Sequence, residues 1–102
     1  MRGRGILSGI PWKWDAGPQK HCWLFRGERI SLRDVTLAGG WYWSLVLDLA
    51  KDVAIDGIRI LNGKVLNDDG IDVCRSENVT IRNAFIRTQD DCIAPKWWCR
   101  NL

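Results

Sequence analysis

Apolar residues recur through the middle of the chain with a fixed, uneven spacing. In Ile30-Ser31-Leu32-Arg33-Asp34-Val35-Thr36-Leu37 they fall at offsets 0, 2, 5 and 7. The segment Val53 to Ile60 repeats those offsets, and Val79 to Ile86 repeats them again. Ile30 and Val53 are 23 residues apart, and Val53 and Val79 are 26 apart. Alternation with period two places successive side chains on opposite faces, the signature of a strand. A helix would need apolar residues at i, i+3, i+4 and i+7, and these segments are β-branched instead. Each unit therefore reads as two short strands with a bend between them, at Asp34, Gly57 and Asn83.

A further strand block follows each unit: Ser44–Leu47, Gly70–Val73 and Cys92–Ala94. One unit with its block makes about one coil of a solenoid, and the strands stack in parallel from coil to coil. Gly3–Gly9 and Trp23–Phe25 read as an earlier, less regular coil. The expected fold is all-β, a parallel β-helix of about four coils. Residues 1–29 form its irregular first coil, 30–96 its regular coils and 97–102 a divergent tail. Such a stack rises only about 20 Å, with an open sheet edge at each end. That organisation suggests part of a longer solenoid.

Composition narrows the function classes. The 102 residues are 46% hydrophobic and 26% charged, which excludes a disordered or low-complexity chain. No run of 18 apolar residues occurs, so no transmembrane helix is expected. The net charge of +3 is scattered, and no basic stripe with interleaved aromatics follows Arg2 and Arg4. Neither nucleic acid nor a membrane is therefore expected as a partner. Seven tryptophans (Trp12, Trp14, Trp23, Trp41, Trp43, Trp97 and Trp98) are many for this length. Such rings fill cores or stack on flat ligands, sugars included. Cys22, Cys74, Cys92 and Cys99 contain no C-x-x-C spacing, which argues against a zinc knuckle or a thioredoxin-type site. Cys92 is expected to be free within this chain or paired elsewhere, with Cys99 close enough to close a short loop. The start, Met1-Arg2-Gly3-Arg4, shows no apolar signal-peptide core.

Two acidic clusters carry the candidate chemistry: Asn67-Asp68-Asp69-Gly70-Ile71-Asp72 and Asp90-Asp91-Cys92. Asp69 and Asp91 are 22 residues apart, about one coil, so stacking sets them side by side. Carboxylates crowded on one surface raise at least one pKa and split into acid and base roles. Glycoside hydrolysis uses such a pair across the scissile bond. Asp and Asn also favour bends for local backbone reasons, and one such turn alone would carry little weight. An EF-hand is excluded, because Gly70 at its sixth position would put Val65 first and Ser76 twelfth.

The stretch Asn67–Lys96 resembles glycoside hydrolase family 28, the polygalacturonases. Its pattern runs approximately N-T-D-G-[IF]-D, then S-x-N-V-x-I, then G-D-D-C-I-A-[IV]-K. This chain reads N-D-D-G-I-D, S-E-N-V-T-I and Q-D-D-C-I-A-P-K. Upstream, G-R-G-I-L-S-G resembles the G-x-G-x-[IL]-D-G coil, and Trp43-Ser44-Leu45 resembles W-T-[LF]. The resemblance implies a right-handed parallel β-helix that hydrolyses α-1,4-galacturonosyl bonds of pectin-type polymers with inversion. It implies Asp90 as general acid and Asp69 and Asp91 as the carboxylates that activate water. Asn67, Asp72 and Lys96 are the implied substrate-binding residues. No metal or organic cofactor is implied. The intact protein is expected to be a monomer, secreted or periplasmic like its family.

The chain departs from the pattern at several places. Asp68 stands for Thr, Gln89 for Gly, and Pro95 for an aliphatic residue in a strand expected to be internal. The family's G-H-G and R-x-K motifs do not follow Lys96, and His21, the only histidine, cannot be matched to G-H-G. The sequence thus predicts that charge compensation for the carboxylates comes from beyond this chain, and that the chain alone is a poor hydrolase. Asn78-Val79-Thr80 fits a glycosylation acceptor but opens a stacked strand, so Asn78 reads as a turn residue. Two alternatives stay open. One is a Ca²⁺-dependent polysaccharide lyase, with the Asp cluster for calcium and Arg87 as base. The other is a non-catalytic, truncated β-helix.

Overall fold

A computed structural model describes residues 1–8, 23–39, 42–62 and 66–102. His21, Cys22, Trp12, Trp14 and Trp41 lie outside the described residues. Among those described, every regular element is a strand. The strands are β1 (Ile6–Ser8), β2 (Trp23–Arg33), β3 (Thr36–Ala38), β4 (Leu45–Asp56), β5 (Arg59–Leu61), β6 (Ile71–Cys74), β7 (Glu77–Arg82), β8 (Phe85–Arg87) and β9 (Ile93–Lys96). They form two parallel sheets, ordered β1-β3-β5-β8 and β2-β4-β6-β9, with β7 also on β4. This is a β-solenoid of about three turns.

The apolar repeat is what stacks. Ile30 lies on Val53 and Leu32 on Ile55. Val53 then lies on Val79 and Ile55 on Ile81, so the 23- and 26-residue steps are the coil lengths. A second inward column runs Leu45–Ile71–Ile93 and a third Leu37–Ile60–Ile86. Leu32, Leu37, Leu45, Leu47, Ile55, Ile60 and Ile71 are completely buried. Two segments read as separate from the repeat units are continuous with the units that follow, whereas Ile71–Cys74 ends before Glu77–Arg82 begins. Trp23–Phe25 runs on into Ile30 as one strand, and Leu45–Leu47 runs on into Val53. Trp23 pairs with Leu45 in the same ladder.

The corners fall where the chain can turn left-handed. Asp34, Gly57 and Asn83 have φ of 58°, 71° and 51° on successive coils. A second series, Arg29, Asp52, Asn78 and Asn101, has φ of 57°, 56°, 54° and 51°. Asn and Asp tolerate this region better than most residues, and a short polar side chain can bond locally. Here it bonds between coils: the Asn78 Nδ2 donates to Asp52 Oδ1, and the Asn101 Nδ2 to Asn78 Oδ1, each at 2.9 Å. Gly57 is required twice over, because a Cβ there would also stand 2.6 Å from Asp34 Oδ1.

Two sequence features look different in three dimensions. Pro95 does not interrupt its ladder. The Ile71 N–H donates to Cys92 O and the Arg75 N–H to Lys96 O, so the even positions of β9 face β6. Pro95 faces the other way, and its missing N–H costs the β6 pairing nothing. Residues 97–102 diverge in sequence, yet their backbone keeps to the coil path. The Asn78 N–H donates to Arg100 O and the Val79 N–H to Asn101 O, at 2.9 and 3.0 Å. Cys92 and Cys99 do not join: both are free, with Cys99 Sγ on Val73 O and Cys92 Sγ toward Ile86 O.

Ile55 sits at the centre of the longest ladder with no exposure. Ile55→Ala is expected to destabilise the fold by about 2–5 kcal/mol, read as a lower urea midpoint.

Candidate active site

The two acidic clusters arrive at adjacent levels because each precedes a strand of the same ladder. The Ser44 N–H donates to Asp69 O and the Gly70 N–H to Asp91 O, at 2.9 and 2.8 Å. Followed back from Leu45–Ile71–Ile93, this register makes one column of Trp43, Asp69 and Asp91. The spacing between levels is about 4.8 Å. Asp90 stacks on Asp68, its N–H donating to Asp68 O. Gly70 permits the approach: a Cβ there would lie 2.4 Å from Cys92 O and 2.5 Å from Ile86 Cγ2. Asn67 makes the turn into this segment at φ 56° and is exposed.

The side chains divide into two groups. Asp69 is 4% exposed and Asp72 is fully buried. Lys96 Nζ lies 3.2 Å from Asp69 Oδ2 and 3.2 Å from Asp72 Oδ1. Its ammonium also sits 4.5 Å from the centre of the Trp43 ring, a cation–π contact. Asp90 and Asp91 are exposed on the next level, where the Asp91 N–H donates to Asp90 Oδ1 at 2.9 Å. The structure thus brings together Asp69, Asp72 and Lys96, with Asp90 and Asp91 at the rim. Because Asp72 has no open surface, Lys96 is what it presents to the outside.

One ammonium serves two carboxylates here. Burial pushes the Asp72 carboxyl up to about 7; Lys96 opposes that push, and the neighbouring Asp69 adds to it. Asp72 Oδ2 has no hydrogen-bond partner among the described residues, as suits a group that takes up a proton near neutrality. Burial works against the Lys96 ammonium, but its hydrogen bonds to Asp72 and Asp69 outweigh it and hold the pKa above the ordinary lysine value. The compensating charge that the sequence placed beyond the chain is therefore partly supplied within it.

The same outer face carries a second charge cluster that the sequence did not disclose. Asp48 accepts from Arg26 Nη2 at 2.6 Å and from Arg75 Nε and Nη2 at 2.9 and 2.6 Å. Burial pushes the Asp48 carboxyl up, but the two guanidiniums outweigh it and the group sits below its ordinary value. Arg75 also lies over the exposed Trp97 ring at 5.5 Å. A 22-residue register was the available signal, since it stacks residue 26 on residue 48. The bulge between Phe25 and Gly27 blurs it.

Among the described residues, no three carboxylate, thiol or imidazole groups converge as a metal would require. Arg87 ends β8, in the other sheet.

The sign of the pH effect follows from Asp72. Its folded pKa lies above the unfolded value, so the native state binds the extra proton between the two. That contribution to stability is full below the unfolded pKa and is lost as pH rises through about 7. Thermal unfolding followed from about pH 5 to about pH 8 should show the wild type losing stability relative to Asp72→Asn.

The family model for glycosyl hydrolases family 28 matches residues 23–101. A polygalacturonase from Penicillium janthinellum is 46% identical over 50 residues, covering 44% of this chain and 14% of that protein. A protein of Aspergillus niger described as a galacturan 1,4-alpha-galacturonidase is 27% identical over 90 residues, 78% of this chain and 20% of its own length. A protein of Aspergillus fumigatus described as exopolygalacturonase X is 36% identical over 59 residues, 53% of this chain and 14% of that one. The chain thus spans about a fifth or less of the length of these curated relatives. No solved structure gives a significant match. The match to the family model runs through both acidic clusters and the strands that align them, and the chain belongs to glycosyl hydrolases family 28.

Proposed function

We propose that this chain carries the acid–base carboxylates of a hydrolase that cleaves α-1,4-galacturonosyl bonds with inversion. The observation that carries this reading is the register that sets Asp69 level with Asp91, with Asp90 beside them. Asp90 protonates the leaving glycosidic oxygen, and Asp69 and Asp91 take the proton from the attacking water. The spacing supports that division. An inverting pair stands about 6.5–9.5 Å apart to leave room for water. Neighbouring levels of the ladder are only about 4.8 Å apart. That backbone spacing favours one shared role, on the water, for the stacked Asp69 and Asp91, and the family resemblance gives the acid role to Asp90, one residue out of the column.

Lys96 serves the same reaction from below. Its ammonium opposes the burial that raises the Asp72 carboxyl, and it lies 3.2 Å from Asp69 Oδ2, where it offsets the negative charge of the site. Asn67, at the exposed turn beside the site, contacts the sugar. The exposed faces of Trp97 and Trp98 extend the surface on which pyranose rings can stack. Asp72 acts on the substrate through Lys96. The names of the relatives support pectin-type polymers as substrate.

The test is release of reducing ends from polygalacturonate by the full-length protein that carries this chain. Asp90→Asn, Asp69→Asn and Asp91→Asn are each expected to lower kcat by about 10²-fold or more. Asp68→Thr, at the position where the family carries Thr, is expected to be tolerated. Lys96→Met removes the cation that holds the Asp72 carboxyl down, so it is expected to carry the pH-dependent loss of thermal stability to higher pH. Wild-type turnover by Asp90→Asn would contradict the assignment. So would an unsaturated, UV-absorbing product, which marks a lyase.

A further inference from the structure

A groove of about 800 Å³ lies on the outer face of β3, β5 and β8, in the sheet that does not carry the acidic clusters. It is lined by Arg4, Asp34, Thr36, Arg59, Asn83 and Phe85, among others. Thr36, Arg59 and Phe85 stack on successive coils, their neighbours Leu37, Ile60 and Ile86 pointing inward. The groove therefore runs along the solenoid axis. Gly57 and Ala84 keep its corner free of bulky side chains.

The arginines divide into two groups, and among the described residues Arg2, Arg4, Arg59, Arg87 and Arg100 make no ion pair with a carboxylate. Arg26, Arg33, Arg75 and Arg82 each lie against an aspartate. Arg4 and Arg59 have no carboxylate within salt-bridge distance among the described residues, and both are exposed. Arg4 is one level before Thr36, whose N–H donates to Gly5 O, and Arg59 is one level after it. Arg4 lies two residues before Ile6, the partner of Thr36, so the backbones of Arg4 and Arg59 are two levels and two residues apart, roughly 12 Å. A chain with repeated anionic groups can meet both arginines along that span. Phe85 is 58% exposed at the far end, a flat apolar ring for the C–H face of a sugar. The Thr36 hydroxyl and the Asn83 amide offer hydrogen bonds to ring hydroxyls. Asp34 is the one carboxylate in the lining.

We propose that this groove is a second, non-catalytic binding site for a carboxylate-bearing sugar chain. Arg4 and Arg59 take up carboxylates by forked hydrogen bonds, and Phe85 stacks on a ring. The preference for an anionic glycan follows from the groove itself; the choice of polygalacturonate as ligand rests on the proposed function. The site would hold an acidic polymer near a catalytic surface whose own aspartates repel it.

Binding of a de-esterified oligogalacturonate to the chain, measured by calorimetry and by amide shift perturbation, tests this. The Arg4→Ala/Arg59→Ala double variant is expected to bind about tenfold or more weakly. Full methyl esterification of the oligomer should weaken wild-type binding as much, and monomeric galacturonate should bind only poorly. Asp34→Asn removes the opposing charge and suits the same left-handed backbone, so it should bind more tightly. If the double variant fails to fold, the esterified ligand and Asp34→Asn still decide. Unchanged binding in the double variant, equal binding of the methyl ester, or weaker binding by Asp34→Asn would overturn the proposal. So would equal affinity for a sulfated glucan, which would mark a general polyanion patch. All arms are repeated in Asp90→Asn, where hydrolysis is silenced. Groove binding with no hydrolysis by the wild-type full-length protein would defeat the glycosidase reading and leave this one standing.

Discussion

The parallel register between coils is the constraint on which everything else depends. Each coil buries only part of its apolar surface, so Leu32, Ile55 and Ile81 must lie in one column to make a core. That requirement fixes coil lengths to within a residue, because a slip of one would turn Ile55 to solvent and its neighbours inward. The polar chemistry inherits the same register. Asp69 meets the level of Asp91 because Ile71 has to meet Ile93. Two acidic turns that are ordinary separately become one surface through the hydrophobic ladder beneath them.

The outer face of β4, β6 and β9 shows how such a ladder handles buried charge. Asp48 is one carboxylate between two guanidiniums, and its pKa falls. Asp72 shares one ammonium with Asp69, and its pKa rises to about 7. The two arrangements are a coil apart on one face and differ in the ratio of cations to carboxylates. A settled ion pair suits structure. A carboxylate in excess, able to hold a proton near neutral pH, suits a surface where protons move.

Much of this was legible in the sequence. The offsets of Ile30, Val53 and Val79 disclosed the coil length, and Asp34, Gly57 and Asn83 disclosed a corner. The two aspartate clusters and their 22-residue separation pointed to adjacent levels. What could not be read was side-chain reach. Lys96 follows a proline in an apparently compromised strand, and only the direction of the Pro95 backbone shows that the strand survives. Its four-carbon stem then carries the ammonium back to Asp69 and Trp43, a path that strand alternation does not specify. The course of residues 97–102 was hidden for a different reason. Backbone hydrogen bonds from Asn78 and Val79 hold it, and side-chain patterns do not report them.

The central claim is that two stacked aspartates activate water on one side of the bond while Asp90 protonates the other. Its most direct test is the anomeric configuration of the first product, followed by proton NMR as the full-length protein cleaves α-linked oligogalacturonate. The account predicts that the β-configured reducing end appears first and then mutarotates. An α-configured first product would mean a covalent intermediate and contradict the roles assigned to Asp69, Asp90 and Asp91.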